Sequence, residues 1–399
     1  MSEEVKLAII GCGDIAGAHL DGYQQLQDEG YNRFRLTAVC DVSEENTDRY
    51  AADVEDKLGY RPDKYISVEQ MLAGADLDAA DICVPHAYHH TTAIPCLEAG
   101  LDVMVEKPLG ITIKAGRIII AAAKSNNRIL ATAEQVRRDI GARTMKWAIM
   151  DAGMIGAPRF FGFDVKTWMD INLDSYAWRW RHSRLLTGGG MILDAGAHFA
   201  DMMLHLFGEI DEVTCTLQTF DTPVVEVPDL GPRRRDVEDY WLVTLKFVSG
   251  LFGHWSYCRA TRGYNIHSSY VWGERGAAKD RQTWMHPFQK GGDIELEDGS
   301  KIPYDQLQKQ YLGQLSDQQQ DRLFPYGITA GMPIECWDFV EAVADRRPPE
   351  IDGEAGQRAK AVCLALYEAD HADLPVRVAD VESEQISAYQ DEINQYWGI

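Results

Sequence analysis

The run Gly188-Gly189-Gly190-Met191-Ile192-Leu193-Asp194-Ala195-Gly196-Ala197-His198 sets a carboxylate and an imidazole four residues apart. That spacing is one helical turn, so Asp194 and His198 are expected on one face of a helix. A histidine beside a carboxylate is the usual means of moving a proton near neutral pH. The glycines before the pair let other backbone, or a ligand, approach closely. The spacings His198 to Asp201 and Asp201 to His205 could also serve a metal on a helix. No third ligand lies nearby, so packing or capping is the expected role and no metal is assigned.

A second chemical signal lies at the start of the chain. The apolar stretch Val5–Ile10 runs into Gly11-Cys12-Gly13-Asp14-Ile15-Ala16. This is G-x-G-x-x-A after a strand and opening a helix. Gly11 makes the tight turn and Gly13 admits a pyrophosphate against the backbone. The small Ala16 packs helix on strand, and the helix N-terminus faces the anion. Asp41 ends the next strand, in Ala38-Val39-Cys40-Asp41. A carboxylate there bonds a ribose 2′-hydroxyl and repels a 2′-phosphate, which favours NAD over NADP.

These residues need elements to hold them. Apolar strands at Val5–Ile10, Arg35–Cys40, Ala79–Val84, Asp102–Val105 and Ile129–Thr132 alternate with helical stretches such as Asp14–Gln27 and Ile111–Ser125. That alternation predicts a parallel sheet with crossover helices. Ile140–Ala152 reads as a helix. From Pro158 onward short runs alternate apolar and polar residues, as in Arg159–Val165, Glu212–Thr219, Tyr240–Phe247 and Gly250–Tyr257. That is antiparallel patterning. Two helices close the chain, with Pro348-Pro349 between them. The fold class expected is α/β plus α+β: a Rossmann domain over 1–136, then a domain over 137–399 built on a large, mostly antiparallel open sheet.

Composition bounds the function. The chain has 399 residues, 45% hydrophobic and 25% charged, with a net charge of −23. Nucleic acid and anionic membranes need a surplus of Lys and Arg, so both are set aside as partners. No apolar run approaches the ~20 residues of a membrane span, and no signal peptide is visible. The scattered cysteines form no Cys-x-x-Cys pair and suit a reducing cytoplasm. Trp168, Tyr176, Trp178 and Trp180 precede the glycine run; they could stack on a sugar ring or pack a domain junction. Arg233-Arg234-Arg235 reads as an exposed loop.

Val103-Met104-Val105-Glu106-Lys107-Pro108-Leu109-Gly110 supplies the third motif. Glu-Lys-Pro after the fifth strand, with G-x-G-x-x-A before it and G-G-G-x-x-x-D-x-G-x-H after it, resembles the Gfo/Idh/MocA oxidoreductases. Pro85-His86-Ala87-Tyr88-His89, Glu98-Ala99-Gly100 and Arg347-Pro348-Pro349 fall where that family has similar residues. The resemblance implies a Rossmann domain, a sheet domain, and a homodimer or homotetramer formed through the sheet's open face. It implies that Lys107 reaches nicotinamide and substrate and that Asp194 and His198 are catalytic. Pro85, His86, His89, Glu106 and Gln135 would border the cofactor. The family often has Asn where this chain has His86, and commonly Asn near Gln135. Arg181 matches an arginine of relatives, and Trp168 would line the substrate.

The chemistry implied is NAD-dependent oxidation of a secondary hydroxyl on a sugar, anhydrosugar, inositol or glycoside. His198 would take the hydroxyl proton, Asp194 would orient it, and Lys107 would stabilise negative charge on the reacting oxygen. Two other readings stay open. One is a glycosidase that oxidises transiently and eliminates the aglycone. The other is a non-catalytic regulator that senses dinucleotide.

Overall fold

The computed structural model describes residues 4–282 and 285–399. It divides into two compact units, Met1–Gln135 with Phe324–Gln357, and Val136–Leu323 with Arg358–Ile399. The sequence reading places a single junction at 136; in the structure 324–357 returns to the first unit.

The first unit is built on strands β1 (Val5–Ile10), β2 (Phe34–Cys40), β3 (Asp63–Tyr65), β4 (Ala79–Ile82), β5 (Asp102–Glu106) and β6 (Leu130–Ala133). Their order is β3-β2-β1-β4-β5-β6, and every pairing is parallel. Order reverses between β1 and β4, the switch point at which open parallel sheets bind ligands. Helix α1 (Asp14–Asp28) follows β1. Its Gly22 faces the helix Gly331–Asp345, where an added Cβ would lie 3.2 Å from Cys336 Sγ and 3.3 Å from Met332 Cγ. The chain returning through 324–357 is also pinned at β6, where the Thr132 N–H donates to Ile351 O at 3.0 Å. Local signals start and stop the helices. Ser43 Oγ accepts the Asn46 N–H to open Glu44–Leu58, and Gly59 closes it at φ 80°.

In the second unit strands β7 (Pro158–Lys166), β8 (Ile210–Gln218), β9 (Val224–Val227), β10 (Gly231–Arg234), β11 (Tyr240–Phe247), β12 (Phe252–Cys258), β13 (Ile266–Gly273), β14 (Gly276–Asp280), β15 (Gly292–Leu296), β16 (Lys301–Ile302) and β17 (Val376–Arg377) are laid down. Nine form one sheet, ordered β16-β15-β14-β13-β7-β12-β11-β8-β17, while β9 and β10 make a separate hairpin. Only β7 and β12 run parallel; the other pairings are antiparallel. The alternation is visible in the side chains. Phe161, Phe163, Val165, Trp241, Val243, Trp255 and Tyr257 are buried, while Leu242, Phe252 and Trp272 lie on the open face. The helix Gly196–Phe207 covers the buried face, with Phe199 stacked on Trp255 at 4.0 Å and edge-on to Phe163 at 5.5 Å. Truncating a ring at such a position typically costs about 3–5 kcal/mol.

All eight cysteines are free and, apart from Cys215, buried. Among the described residues no helix is long and apolar enough to cross a membrane.

Candidate active site

The end of β1 is shaped by two different glycines. Gly11 sits at φ 92°, and an added Cβ would lie 2.7 Å from the Cys83 carbonyl, so the turn has no room for a side chain. Gly13 has nothing within 4 Å of the same position. It precedes α1, whose first turn receives no side-chain cap. An open cradle before uncapped N–H groups is what a pyrophosphate requires. Asp14 and Ile15 begin the helix, and Ala16 is buried beneath it. The Asp41 carboxylate holds this loop: Oδ2 accepts the Cys12 N–H at 2.8 Å and Oδ1 accepts the Ser43 N–H at 2.8 Å. Gln135 adds a buried Oε1 with no partner among the described residues. These features fit a dinucleotide along the C-terminal edge of the sheet.

Glu106, Lys107 and Pro108 follow at the end of β5. Behind them lies a buried network that the sequence did not announce. His19 of α1 has Nδ1 2.8 Å from Asp81 Oδ2 and Nε2 3.1 Å from Glu106 Oε1. Tyr23 donates to Asp81 at 3.2 Å. Burial opposes a charge on His19, but Asp81 and then Cys83 outweigh it and hold the imidazole well above its usual range. Burial pushes the Cys83 thiol up to about 12. His19, Asp81 and Cys83 also form the one close His/Cys/Asp/Glu cluster among the described residues. Nearby, His86 is buried in the short turn after Pro85, and its ring meets that of His89 at 5.8 Å. His89 is a brace, its ring nitrogens each 2.9 Å from Pro108 O and Val84 O.

In the second unit the glycine run departs from expectation. The helix begins at Gly196, so Asp194 stands in the turn before it rather than on its face. Glu238 anchors this turn. Its carboxylate accepts the N–H groups of Gly190 at 3.0 Å and Ile192 at 2.9 Å, together with the Tyr367 hydroxyl at 2.9 Å. These bonds anchor the turn, within which the Asp194 N–H donates to Gly190 O at 3.1 Å. Side chains would not fit: a Cβ on Gly190 would lie 2.5 Å from Glu238, and one on Gly189 would enter the Tyr367 ring. Burial pushes the Glu238 carboxyl above its usual range, against the pull of the Ile192 N–H.

Asp194 Oδ2 accepts from Arg181 Nε at 2.7 Å. Arg181 lies over the Trp180 ring at 4.3 Å. His198 is buried, with the His286 ring edge-on at 4.8 Å. Asp201, the candidate of metal spacing, pairs instead with Arg137 at 3.0 Å. Trp168 carries Arg262 over its face at 3.5 Å. Arg181 and Asp194 border a pocket that also meets Met169, Ile171, Trp178 and Arg259.

A parallel sheet ordered about a switch point, a glycine cradle beneath an uncapped helix, and a second unit carrying an acid beside a pocket define a Rossmann-domain oxidoreductase. The chain belongs to the GFO/IDH/MocA family: the NAD-binding Rossmann-fold oxidoreductase model matches residues 5–134, and the GFO/IDH/MocA C-terminal domain matches 143–279. The myo-inositol 2-dehydrogenase of Thermotoga maritima is 25% identical over 385 residues, covering 94% of this chain and 99% of that protein. The levoglucosan dehydrogenase of Pseudarthrobacter phenanthrenivorans is 24% identical, over 67% of this chain and 70% of its own. The match to the 1,5-anhydro-D-fructose reductase of Ensifer adhaerens, at 26% identity, takes in 51% of this chain and 58% of that one. Among solved structures, levoglucosan dehydrogenase with NADH and levoglucosan superposes with a TM-score of 0.73 at 20% identity, over 94% of this chain and 99% of that one. The likeness in structure shows the fold.

Proposed function

We propose that the protein oxidises a secondary hydroxyl of a sugar, anhydrosugar, inositol or glycoside with NAD. The observation that carries this reading is the Arg181–Asp194 pair on the wall of a pocket, in a chain of this family. The names of the relatives, levoglucosan dehydrogenase and myo-inositol 2-dehydrogenase, agree with it.

NAD, when bound, would supply the hydride acceptor. The uncapped first turn of α1 and the Gly13 cradle would hold the pyrophosphate, with Asp41 on the ribose. Pro85, His86, Glu106 and Gln135 would border the cofactor. Lys107, Asp194 and His198 would serve as the catalytic residues. His198 would take the hydroxyl proton as general base, Lys107 would hydrogen-bond the same oxygen, and Asp194 would fix the substrate and orient the base. Arg181 would keep the Asp194 carboxylate in place, and Trp168 would contribute an aromatic face.

The open face of the second unit's sheet exposes Leu242, Phe252 and Trp272 and would carry a homodimer or homotetramer contact.

Reduction of NAD during a screen of sugars, anhydrosugars and inositols tests the reading. Lys107→Ala and His198→Asn should each lower turnover by about 10²-fold or more. Near-full turnover in both would remove them from the mechanism. Aglycone release from a glycoside without net NADH would replace dehydrogenation by elimination.

A further inference from the structure

We propose that the pocket beside Asp194 accepts a substrate bearing a carboxylate, and that Arg259 is the residue that receives it. The claim rests on the dehydrogenase reading for the fate of the substrate, and on the second unit alone for its binding.

Arg259 directly follows β12. Its backbone is held on both sides: its N–H donates to Asp239 O at 3.1 Å, and its carbonyl accepts from Met169 N at 3.1 Å. The side chain therefore leaves a fixed root. The residue is 5% exposed and lines the pocket, yet no described residue accepts a hydrogen bond from its guanidinium, and Nε is buried without a partner.

The carboxylates around it are already supplied with donors. Asp194 is paired with Arg181. Asp239 accepts the N–H groups of Phe220 at 2.8 Å and Asp221 at 2.9 Å, and Arg235 reaches it at 3.5 Å. Glu238 is engaged by Gly190, Ile192 and Tyr367, while its backbone oxygen accepts from Arg235 at 2.7 Å. Arg235 is itself buried, so the run of three arginines is not uniformly exposed as its sequence suggests; only Arg233 and Arg234 are. Among the described residues, the pocket wall thus holds one guanidinium without an anion.

Arginine cannot shed its proton to escape that cost. An unpaired buried cation is tolerated where a ligand completes it. A guanidinium presents parallel N–H groups that match the two oxygens of a carboxylate. The pocket is partly open to solvent. Met169, Ile171 and Trp178 offer apolar surface to the C–H faces of a sugar acid. The substrate class is an aldonic or uronic acid. Its carboxylate is a handle and is unchanged by the reaction: one carbinol C–H leaves as hydride to NAD, its O–H proton passes to the protein, and the carbon becomes a ketone.

The test is calorimetric titration of the NADH-loaded protein with D-gluconate, D-glucuronate, glucose 6-phosphate and methyl α-D-glucoside. A carboxylate is expected to bind about 10²-fold more tightly than the neutral glucoside, with affinity falling as salt rises. Arg259→Met should erase that preference and Arg259→Lys should keep part of it. Equal binding of acid and glucoside by the unaltered protein, binding of none, or a preference that survives Arg259→Met, overturns the proposal. Binding of the phosphate alone overturns the choice of carboxylate. NADH formation is read separately. Acids that bind tightly but yield no NADH leave Arg259's role intact and sink the dehydrogenase reading; neutral sugars that turn over while acids fail to bind do the reverse.

Discussion

Arg181 donates from Nε to Asp194 Oδ2 across 2.7 Å, joining residues on either side of the glycine run. The pair is partly shielded, with 30% and 14% of the two side chains exposed. The guanidinium is further fixed over Trp180 and by a bond to Ala177 O. Two groups held this way should act as a unit. Asp194→Asn is expected to lower kcat/KM by roughly 10²–10⁴-fold, and Arg181→Met by at least about tenfold, since truncating a shielded charge partner typically costs about 2 kcal/mol or more. The double variant should cost less than the product of the two. Steady-state kinetics on the four proteins checks this. Strictly multiplicative losses would mean that the two side chains act independently.

The two glycines of the cofactor loop should separate folding from binding. Gly11→Ala forces a Cβ against the Cys83 backbone at positive φ, which should cost about 2–4 kcal/mol from strain and overlap combined. Gly13→Ala meets no protein atom within 4 Å and keeps an allowed φ of −87°. Its stability should stay within about 0.5 kcal/mol of the parent, while NAD affinity falls by an order of magnitude or more because the new methyl fills the cradle. Urea melts and fluorescence titration with NADH measure the two quantities on the same samples. A Gly13→Ala protein that binds NADH normally would move the pyrophosphate elsewhere.

Asp41 is both a ribose ligand by expectation and a clamp on the loop by observation. Removing it should therefore do two things. Asp41→Ala should lower kcat/KM for NAD by about tenfold or more, and it should narrow the preference over NADP, because the charge that repels a 2′-phosphate is gone. Asp41→Asn keeps an oxygen for the Cys12 N–H and should retain more of the NAD activity. Parallel assays with both cofactors give the ratio. An unchanged ratio in both variants would confine Asp41 to the structural task.

The first unit was readable because its signals are local: strand, glycine turn and helix follow one another between Val5 and Asp28. The sheet of the second unit showed itself by alternation, as along β11, where Trp241, Val243 and Leu245 are buried between exposed neighbours. The register of Asp194 was not readable. The turn that carries it is anchored by Glu238 and Tyr367, which lie 48 and 177 residues from Gly190 in the chain. Arg235 reads as exposed, and Arg259 carries no signal, for a different reason. Arginine belongs on the surface by default, and its burial follows from what packs around it rather than from its neighbours in sequence. His19 lay one turn beyond the glycine motif, yet nothing local marks a histidine whose partners come from β4 and β5.

That histidine should make the stability of the first unit depend on pH. His19 faces Asp81, Glu106 and, at 3.9 Å, Glu335, with Cys83 and Tyr23 packed alongside and Cys336 Sγ bonded to its backbone oxygen. Both ring nitrogens face carboxylates, so the folded state favours the imidazolium. Its folded value lies well above the unfolded 6.5. A raised value adds stability that is fully present below about pH 6.5 and drains away as pH rises through the folded value. His19→Asn should thus be destabilised by about 3–5 kcal/mol near pH 6, the cost of breaking a buried charged network. The gap between parent and variant should shrink steadily toward pH 9. Because Glu106 adjoins Lys107, the variant should also lose turnover at pH 7 beyond what its unfolded fraction explains. Chemical denaturation across pH, with kcat measured on the folded protein, decides it. A gap that stays flat or widens with pH would mean that His19 is neutral in the folded protein.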